Sequence, residues 1–131
     1  MSAFLTPLCV ELLLGEDGRE LRSRGGKQLW RVSGHNFEYW STVADKKIVA
    51  EVGFVTDFAS IPRLLGWAFG DIAHRPSLPH DLEYSGKGTL TREMADKVLY
   101  EACILSGVPK WKANLIYAGV RVGGWASFRK D

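Results

Sequence analysis

The chain has 131 residues, the usual size of a single domain, and its 46% hydrophobic and 24% charged residues are ordinary for a globular protein. The net charge of +2 is too small for a basic nucleic-acid-binding surface, so we expect no nucleic-acid partner. The N-terminal segment lacks a cationic start, and no stretch reaches the apolar length of a membrane span. We therefore expect no signal peptide, no transmembrane segment, and synthesis in the cytoplasm.

The first half of the chain predicts β-strands. An apolar run over 8–14 ends in the turn signal Gly-Glu-Asp-Gly at 15–18, and the polar segment 19–27 predicts a loop or a hairpin arm. Three further strands are predicted at 28–32, 37–40 and 47–52. The short gaps between these runs favour an antiparallel meander.

The second half of the chain predicts helices. Ser60 can cap a short helix over 64–69, and another helix begins near Ser77, with Pro79 in its first turn and Gly86 as its stop. Two longer helices follow, over about 92–106 behind a Thr91 cap and from Pro109 to about Val122. The last helix carries an amphipathic stripe of Trp111, Leu115, Ala118 and Val122.

Strands followed by helices indicate an α+β fold, with an N-terminal antiparallel β-meander and a three- to four-helix C-terminal half. We predict one domain over 1–131, mainly β over 1–55 and mainly α over 56–131.

One helical turn carries the most specific chemical pattern, His-Asp-x-x-Tyr at 80–84. His80 and Tyr84 lie one turn apart on the same face, whereas Asp81 is rotated by about 100° toward a neighbouring space. Metal-assisted hydrolysis uses such a pair, because the imidazole takes a proton from water while the carboxylate holds a cation. The alternative is a structural histidine beside a first-turn aspartate that the helix dipole favours.

Asp96 is the best candidate to orient His80. It lies on the apolar face of its helix, where an unpaired carboxylate is costly, so it should have a partner. A carboxylate on the far nitrogen of an imidazole fixes the tautomer and stabilises the imidazolium. Asp96 could instead bind Arg92 or Tyr100 on its own helix.

A second polar group precedes the helices. Asp57 is a candidate second metal ligand or hydrogen-bond acceptor in the same pocket, or it makes a turn that enters the helix at Ser60. Arg63 could pair with Asp57 or bind an anion. Ser60 and Arg63 are therefore further pocket candidates.

Several segments resemble the domain-of-unknown-function 1353 family. They are Gly-Phe-Val-Thr-Asp-Phe-Ala-Ser-Ile-Pro-Arg at 53–63, His-Asp-Leu-Glu-Tyr at 80–84, Arg-Glu-Met-Ala-Asp-Lys-Val-Leu at 92–99, Gly-Val-Pro-Lys-Trp at 107–111 and Ile-Tyr-Ala-Gly-Val-Arg at 116–121. Members are common in tailed phages and prophages. The resemblance implies a phage-encoded protein that is made in the host cytoplasm and could associate with the virion, and it supplies no established activity.

His-Asp-x-x-Tyr with Ala-Asp in the next helix also resembles the catalytic helices of phospholipase A2, especially the domain of parvoviral capsids. This resemblance covers about twenty residues. It implies that His80 is the general base, that Asp81 is a Ca²⁺ ligand, that Asp96 holds His80, and that Tyr84 supports the network.

Three functions stay open at this point. The first is a phage-encoded metal-dependent hydrolase of the phospholipase A2 type, with the Trp residues and the basic C-terminal end at a lipid surface. The second is a non-enzymatic virion, tail or assembly protein in which the same residues form a structural polar network. The third is a small inhibitor that binds a host component.

Overall fold

The computed structural model describes residues 1–23, 26–58 and 74–123. The strands are β1 (Ala3–Phe4), β2 (Val10–Leu12), β3 (Trp30–Val32), β4 (Phe37–Ser41), β5 (Lys46–Ala50) and β6 (Val55–Thr56). The helices are α1 (His74–Tyr84), α2 (Arg92–Leu105) and α3 (Lys110–Gly123). The short helix predicted over 64–69 and the pocket candidates Ser60 and Arg63 lie outside the described residues.

The strands form two three-stranded antiparallel sheets, ordered β1-β4-β5 and β2-β3-β6. Alternation along β4 buries Phe37, Tyr39 and Ser41 on one face, as a strand with one face on the core requires. Strand β1 pairs with β4, and β6 pairs with β3, although the partners are far apart in sequence. As a result, the strands predicted as one meander are divided between two sheets. Within the described ranges, strands followed by three helices confirm the predicted α+β class.

Helix α1 begins at His74, one turn earlier than the sequence predicts. Pro76 lies in the first turn, where its missing N–H is tolerated, so the helix can start before Ser77. Pro79 therefore lies inside the helix and cannot donate the usual backbone hydrogen bond to the carbonyl of Arg75.

Helix α2 has both predicted boundaries. The Thr91 hydroxyl accepts a hydrogen bond from the Met94 N–H at 3.2 Å, which satisfies one of the free donors of the first turn. Gly107 follows the helix with φ of 92°, and the Val108 N–H donates back to the Cys103 carbonyl at 3.0 Å. The left-handed residue closes the helix as a glycine C-cap does.

Helix α2 also joins two apolar cores. The first core lies against the sheets and α1, and its buried members are Val32, Phe37, Tyr39, Ile48, Ala50, Phe54, Phe58, Leu78, Leu82, Val98 and Ala102. The second core lies between α2 and α3 and includes Leu99, Cys103, Val108, Ala113, Ile116 and Val120. Because α2 packs against both cores, its orientation about its own axis is fixed. The directions of its polar side chains are therefore fixed as well.

Helix α3 buries a different face from the one that carries the predicted stripe. Its buried residues are Ala113, Ile116 and Val120, which pack toward α2. The stripe that contains Trp111 is exposed to solvent. The helix is thus apolar on two sides, and the side with the smaller residues packs inward, where it permits close approach to α2. Of the helices described here, none has the length and apolar character needed to cross a membrane.

Glu101 connects α2 to the sheet through its carboxylate. Oε1 accepts hydrogen bonds from the Tyr39 hydroxyl and the Ser41 hydroxyl, both at 2.8 Å, and Oε2 accepts from the Val43 N–H at 2.9 Å. Burial raises the pKa of the Glu101 carboxyl, but the Ser2 hydroxyl, followed by these three hydrogen bonds, outweighs that effect and lowers it below 4.5. The Glu101 carboxylate therefore accepts hydrogen bonds from the two buried side-chain hydroxyls of β4.

Glu101→Ala is expected to lower the free energy of unfolding by about 2–4 kcal/mol, because three donors lose their acceptor and two of them belong to buried residues. Glu93→Ala, on the same helix, removes an exposed carboxylate that pairs with Lys97, and it should cost less than about 1 kcal/mol. Urea denaturation of the two variants measures the difference. Equal midpoints would contradict this role for Glu101.

Candidate functional site

The candidate site begins with two side chains on one face of α1. His80 is only 2% exposed, and its Nε2 lies 2.7 Å from Oδ1 of Asp96 on α2. The Tyr84 hydroxyl, one helical turn later, donates to the same Oδ1 at 2.6 Å. The rings of His80 and Tyr84 lie 4.0 Å apart between centroids. The i,i+4 spacing thus places both donors on one carboxylate oxygen.

The other oxygen of Asp96 faces arginine side chains. Oδ2 accepts a hydrogen bond from Nη1 of Arg121 on α3 at 2.8 Å, and Nη1 of Arg92 lies 3.7 Å away. Arg92 Nη1 also donates to the carbonyls of Val120 and Arg121, at 3.2 and 3.3 Å, near the C-terminal end of α3. One fully buried carboxylate therefore accepts hydrogen bonds from α1 and α3 and forms a longer ion pair with Arg92 of its own helix.

The charge state of the pair follows from these contacts. Burial raises the pKa of the Asp96 carboxyl, but hydrogen bonds from His80, Tyr84 and Arg121 outweigh burial and lower it below 3.8. Burial lowers the pKa of His80 below 6.5, against the opposing effect of Asp96. At neutral pH, the pair is a neutral imidazole beside a carboxylate. Nε2 must then donate to Asp96, and the lone pair of the ring lies on Nδ1.

Asp81 lies on a different side of α1 and contacts β6. Its Oδ2 accepts a hydrogen bond from the Thr56 hydroxyl at 2.7 Å, and the Thr56 Oγ1 accepts from the Phe58 N–H at 3.1 Å. Burial raises the pKa of Asp81 from 3.8 to about 7. The hydrogen bond from Thr56 and the charge of Lys27 oppose that shift, and the charge of Asp57 adds to it.

A sequence profile of the family described as "Protein of unknown function (DUF1353)" matches residues 30–120, which is more than half of the chain. The chain belongs to the DUF1353 family. The matched region includes β3 through most of α3, and with them His80, Asp81, Tyr84 and Asp96. No curated protein and no solved structure matches the chain.

The predicted site residues of this DUF1353 chain fall into two groups. His80, Tyr84 and Asp96 form one hydrogen-bonded cluster, which we call the Asp96 cluster. Asp81 lies beside Thr56, near enough to Asp57 for the two charges to interact. The structure thus brings the predicted residues to two adjacent sides of α1.

Two contributors to these groups were not predicted. Arg121 is 25 residues from Asp96 in sequence, and only the packing of α3 on α2 brings it close. Thr56 stands next to Asp57, and a hydroxyl at the end of a strand is too common a feature to indicate a partner on a distant helix.

The Ca²⁺ ion implied by the phospholipase A2 resemblance needs six to eight oxygen ligands. Asp81 and Asp57 are the carboxylates near this point, and the described residues contain no group of three His, Cys, Asp or Glu side chains arranged to hold a metal ion. The side chains of the described ranges therefore do not make a calcium site by themselves.

Asp96→Ala is expected to lower the free energy of unfolding by about 3–5 kcal/mol, since the donors of His80, Tyr84 and Arg121 lose a buried charged acceptor. In a chain of this size, the melting temperature should fall by roughly 10–20 °C. Tyr84→Phe removes one donor and keeps the ring, so it should cost about 1–2 kcal/mol. Calorimetry compares the stabilities of the two variants. If Asp96→Ala loses no more stability than Tyr84→Phe, Asp96 is not the acceptor on which the cluster depends.

Asp81→Asn is expected to stabilise the chain more at high pH than at low pH. The raised pKa of Asp81 means that its contribution to stability is full below its ordinary value of 3.8 and is lost as pH rises through about 7. Asparagine cannot ionise and can still accept from Thr56. The melting temperature of Asp81→Asn minus that of wild type, measured in chelator, should therefore increase from about pH 5 to about pH 8. A difference that does not change with pH would show that Asp81 ionises without penalty.

Proposed function

We propose that this DUF1353 chain is a hydrolase in which His80 is the general base, Asp96 orients it, and Tyr84 supports Asp96. The observation that carries the proposal is the buried 2.7 Å contact between His80 Nε2 and Asp96 Oδ1, with the Tyr84 hydroxyl 2.6 Å from the same oxygen. The phospholipase A2 helices that the sequence resembles have these residue types in the same order. A phospholipid ester is therefore the proposed substrate class.

The proposed chemistry uses the neutral form of His80. Nδ1 takes a proton from a water molecule, and the resulting hydroxide attacks the ester carbonyl carbon. The imidazolium that forms is stabilised by the Asp96 carboxylate, which Arg121 and Tyr84 keep ionised. As the tetrahedral intermediate collapses, His80 returns the proton to the leaving alkoxide, which departs as an alcohol beside the free acid.

His80→Gln should lower the rate of ester hydrolysis by about 10²–10⁴-fold, because glutamine cannot take the proton. Release of fatty acid from mixed phospholipid micelles measures the rate. The matched control is His35→Gln, the same change at an exposed histidine whose ring nitrogen contacts the Pro7 carbonyl at 2.9 Å. Hydrolysis that survives intact in His80→Gln, or that the wild-type chain does not catalyse at all, would exclude this function.

The proposal also includes a Ca²⁺ ion that binds Asp81, with Asp57 as a second ligand. When bound, such an ion would polarise the ester carbonyl and stabilise its developing negative charge. A bound ion stabilises only the folded chain, and calcium at about 100 times its dissociation constant adds roughly 2.7 kcal/mol. Calcium should therefore raise the melting temperature of wild type but not that of Asp81→Asn. An equal response of both proteins, or of neither, would remove Ca²⁺ from the proposal.

A structural role for the Asp96 cluster is the second candidate, and the burial of its members favours it. His80 is 2% exposed, Asp96 is 0% exposed, and Asp96 accepts hydrogen bonds from α1 and α3. In this role the chain is a virion, tail or assembly protein of a phage, as the family resemblance implies, and the cluster fixes how the helices pack. His80→Gln would then lower the melting temperature by several degrees in a protein that hydrolyses no ester.

A further inference from the structure

The outer face of α3 is an exposed apolar surface. It consists of Trp111, Leu115, Ala118 and Val122, and the exposed fractions of Trp111, Leu115 and Val122 are 60%, 45% and 79%. These residues repeat at spacings of four, three and four, so they form one continuous stripe. The stripe lies opposite the buried face of the helix, and the packing of α3 on α2 leaves it exposed.

The charged side chains at the N-terminal end of this outer face are positive. Lys110 and Lys112 lie there and α3 has no acidic residue, whereas the Arg121 guanidinium near its other end is held by Asp96. The Lys112 ammonium lies 5.5 Å from the centre of the Trp111 ring, so a cation and the largest apolar group occupy the same end of the helix. The outer face of α3 therefore suits a partner that is apolar and negatively charged.

A second copy of the chain fits this face poorly. The stripe is small, because four side chains along about 16 Å of helix fall far short of the roughly 20–30 residues that each partner contributes to a stable protein interface.

We propose that the outer face of α3 docks on the surface of an anionic phospholipid bilayer. Trp111 lies at the level of the headgroups, Leu115 and Val122 enter the boundary of the acyl chains, and the basic side chains contact lipid phosphates. A helix with one apolar face and basic flanks binds a bilayer parallel to its plane, and it does not need the area of a protein interface. Docking does not involve His80, so it stands apart from the proposed hydrolysis.

Flotation with lipid vesicles tests this surface. Wild type should bind vesicles of phosphatidylcholine with about one-third phosphatidylglycerol and not vesicles of phosphatidylcholine alone, and added salt should weaken binding. The double substitution Trp111→Ser and Val122→Ser should weaken binding by about tenfold or more. The matched control changes Leu14 and Val52 to Ser, since these residues are 55% and 54% exposed and lie in the β-rich half. His80→Gln should bind as wild type does.

Three results would overturn the proposal. They are no binding of wild type to anionic vesicles, equal binding to neutral vesicles, and binding that the changes at Trp111 and Val122 leave unaltered. Sedimentation of the free protein adds a fourth: a dimer that these two changes convert to a monomer would make the outer face a contact between copies. Circular dichroism confirms that each variant is folded, as changes at exposed positions predict.

Discussion

The fully buried carboxylate of Asp96 constrains the rest of the structure. An ionised group in an apolar interior is stable only where donors or opposite charges surround it, and Asp96 receives hydrogen bonds from α1 and α3 and an ion pair from Arg92 on α2. This arrangement is possible only if each helix is rotated about its axis so that these side chains face one another. His80 and Tyr84 must face α2, and the end of α3 must bring Arg121 within reach. The apolar cores on either side of α2 hold the helices together, while the carboxylate favours the arrangement that brings these partners to it.

The same carboxylate decides what His80 can do. Because Asp96 stays ionised and burial keeps the imidazole neutral, the proton of the ring lies on Nε2 and the lone pair on Nδ1. A histidine in this state is both a satisfied core residue and a base with its tautomer fixed in advance. The structural and catalytic candidates therefore share one geometry, and they differ in whether a water molecule and an ester reach Nδ1.

Local patterns predicted the parts of this structure that depend on neighbouring residues. The Thr91 cap, the helix over about 92–106 and the strand at 37–40 each follow from side chains a few positions apart. The need of Asp96 for a partner follows from its place on an apolar helical face. His80 is that partner because both residues lie on the faces where α1 and α2 pack together.

The parts that depend on long-range packing were not predictable in the same way. Arg121 reaches Asp96 only because α3 turns Ala113, Ile116 and Val120 inward. Periodicity alone could not identify this face as the buried one. The stripe that begins at Trp111 has the same helical spacing, and its larger side chains made it the stronger candidate for burial. The start of α1 was ambiguous for a different reason. Pro76 and Pro79 can each stand in the first turn of a helix, so the sequence offered two start signals a few residues apart.

The tautomer of His80 shows whether Asp96 holds a neutral imidazole, and nitrogen-15 NMR of the histidine side chains measures it. We expect a neutral ring at pH 7 whose proton is on Nε2, with a strongly downfield hydrogen-bonded signal that disappears in Asp96→Ala. A ring protonated on Nδ1, or an imidazolium at this pH, would contradict this expectation. Either result would mean that Asp96 does not hold His80 as a neutral base, and a ring protonated only on Nδ1 would also remove the hydrogen bond from His80 on which the packing argument depends.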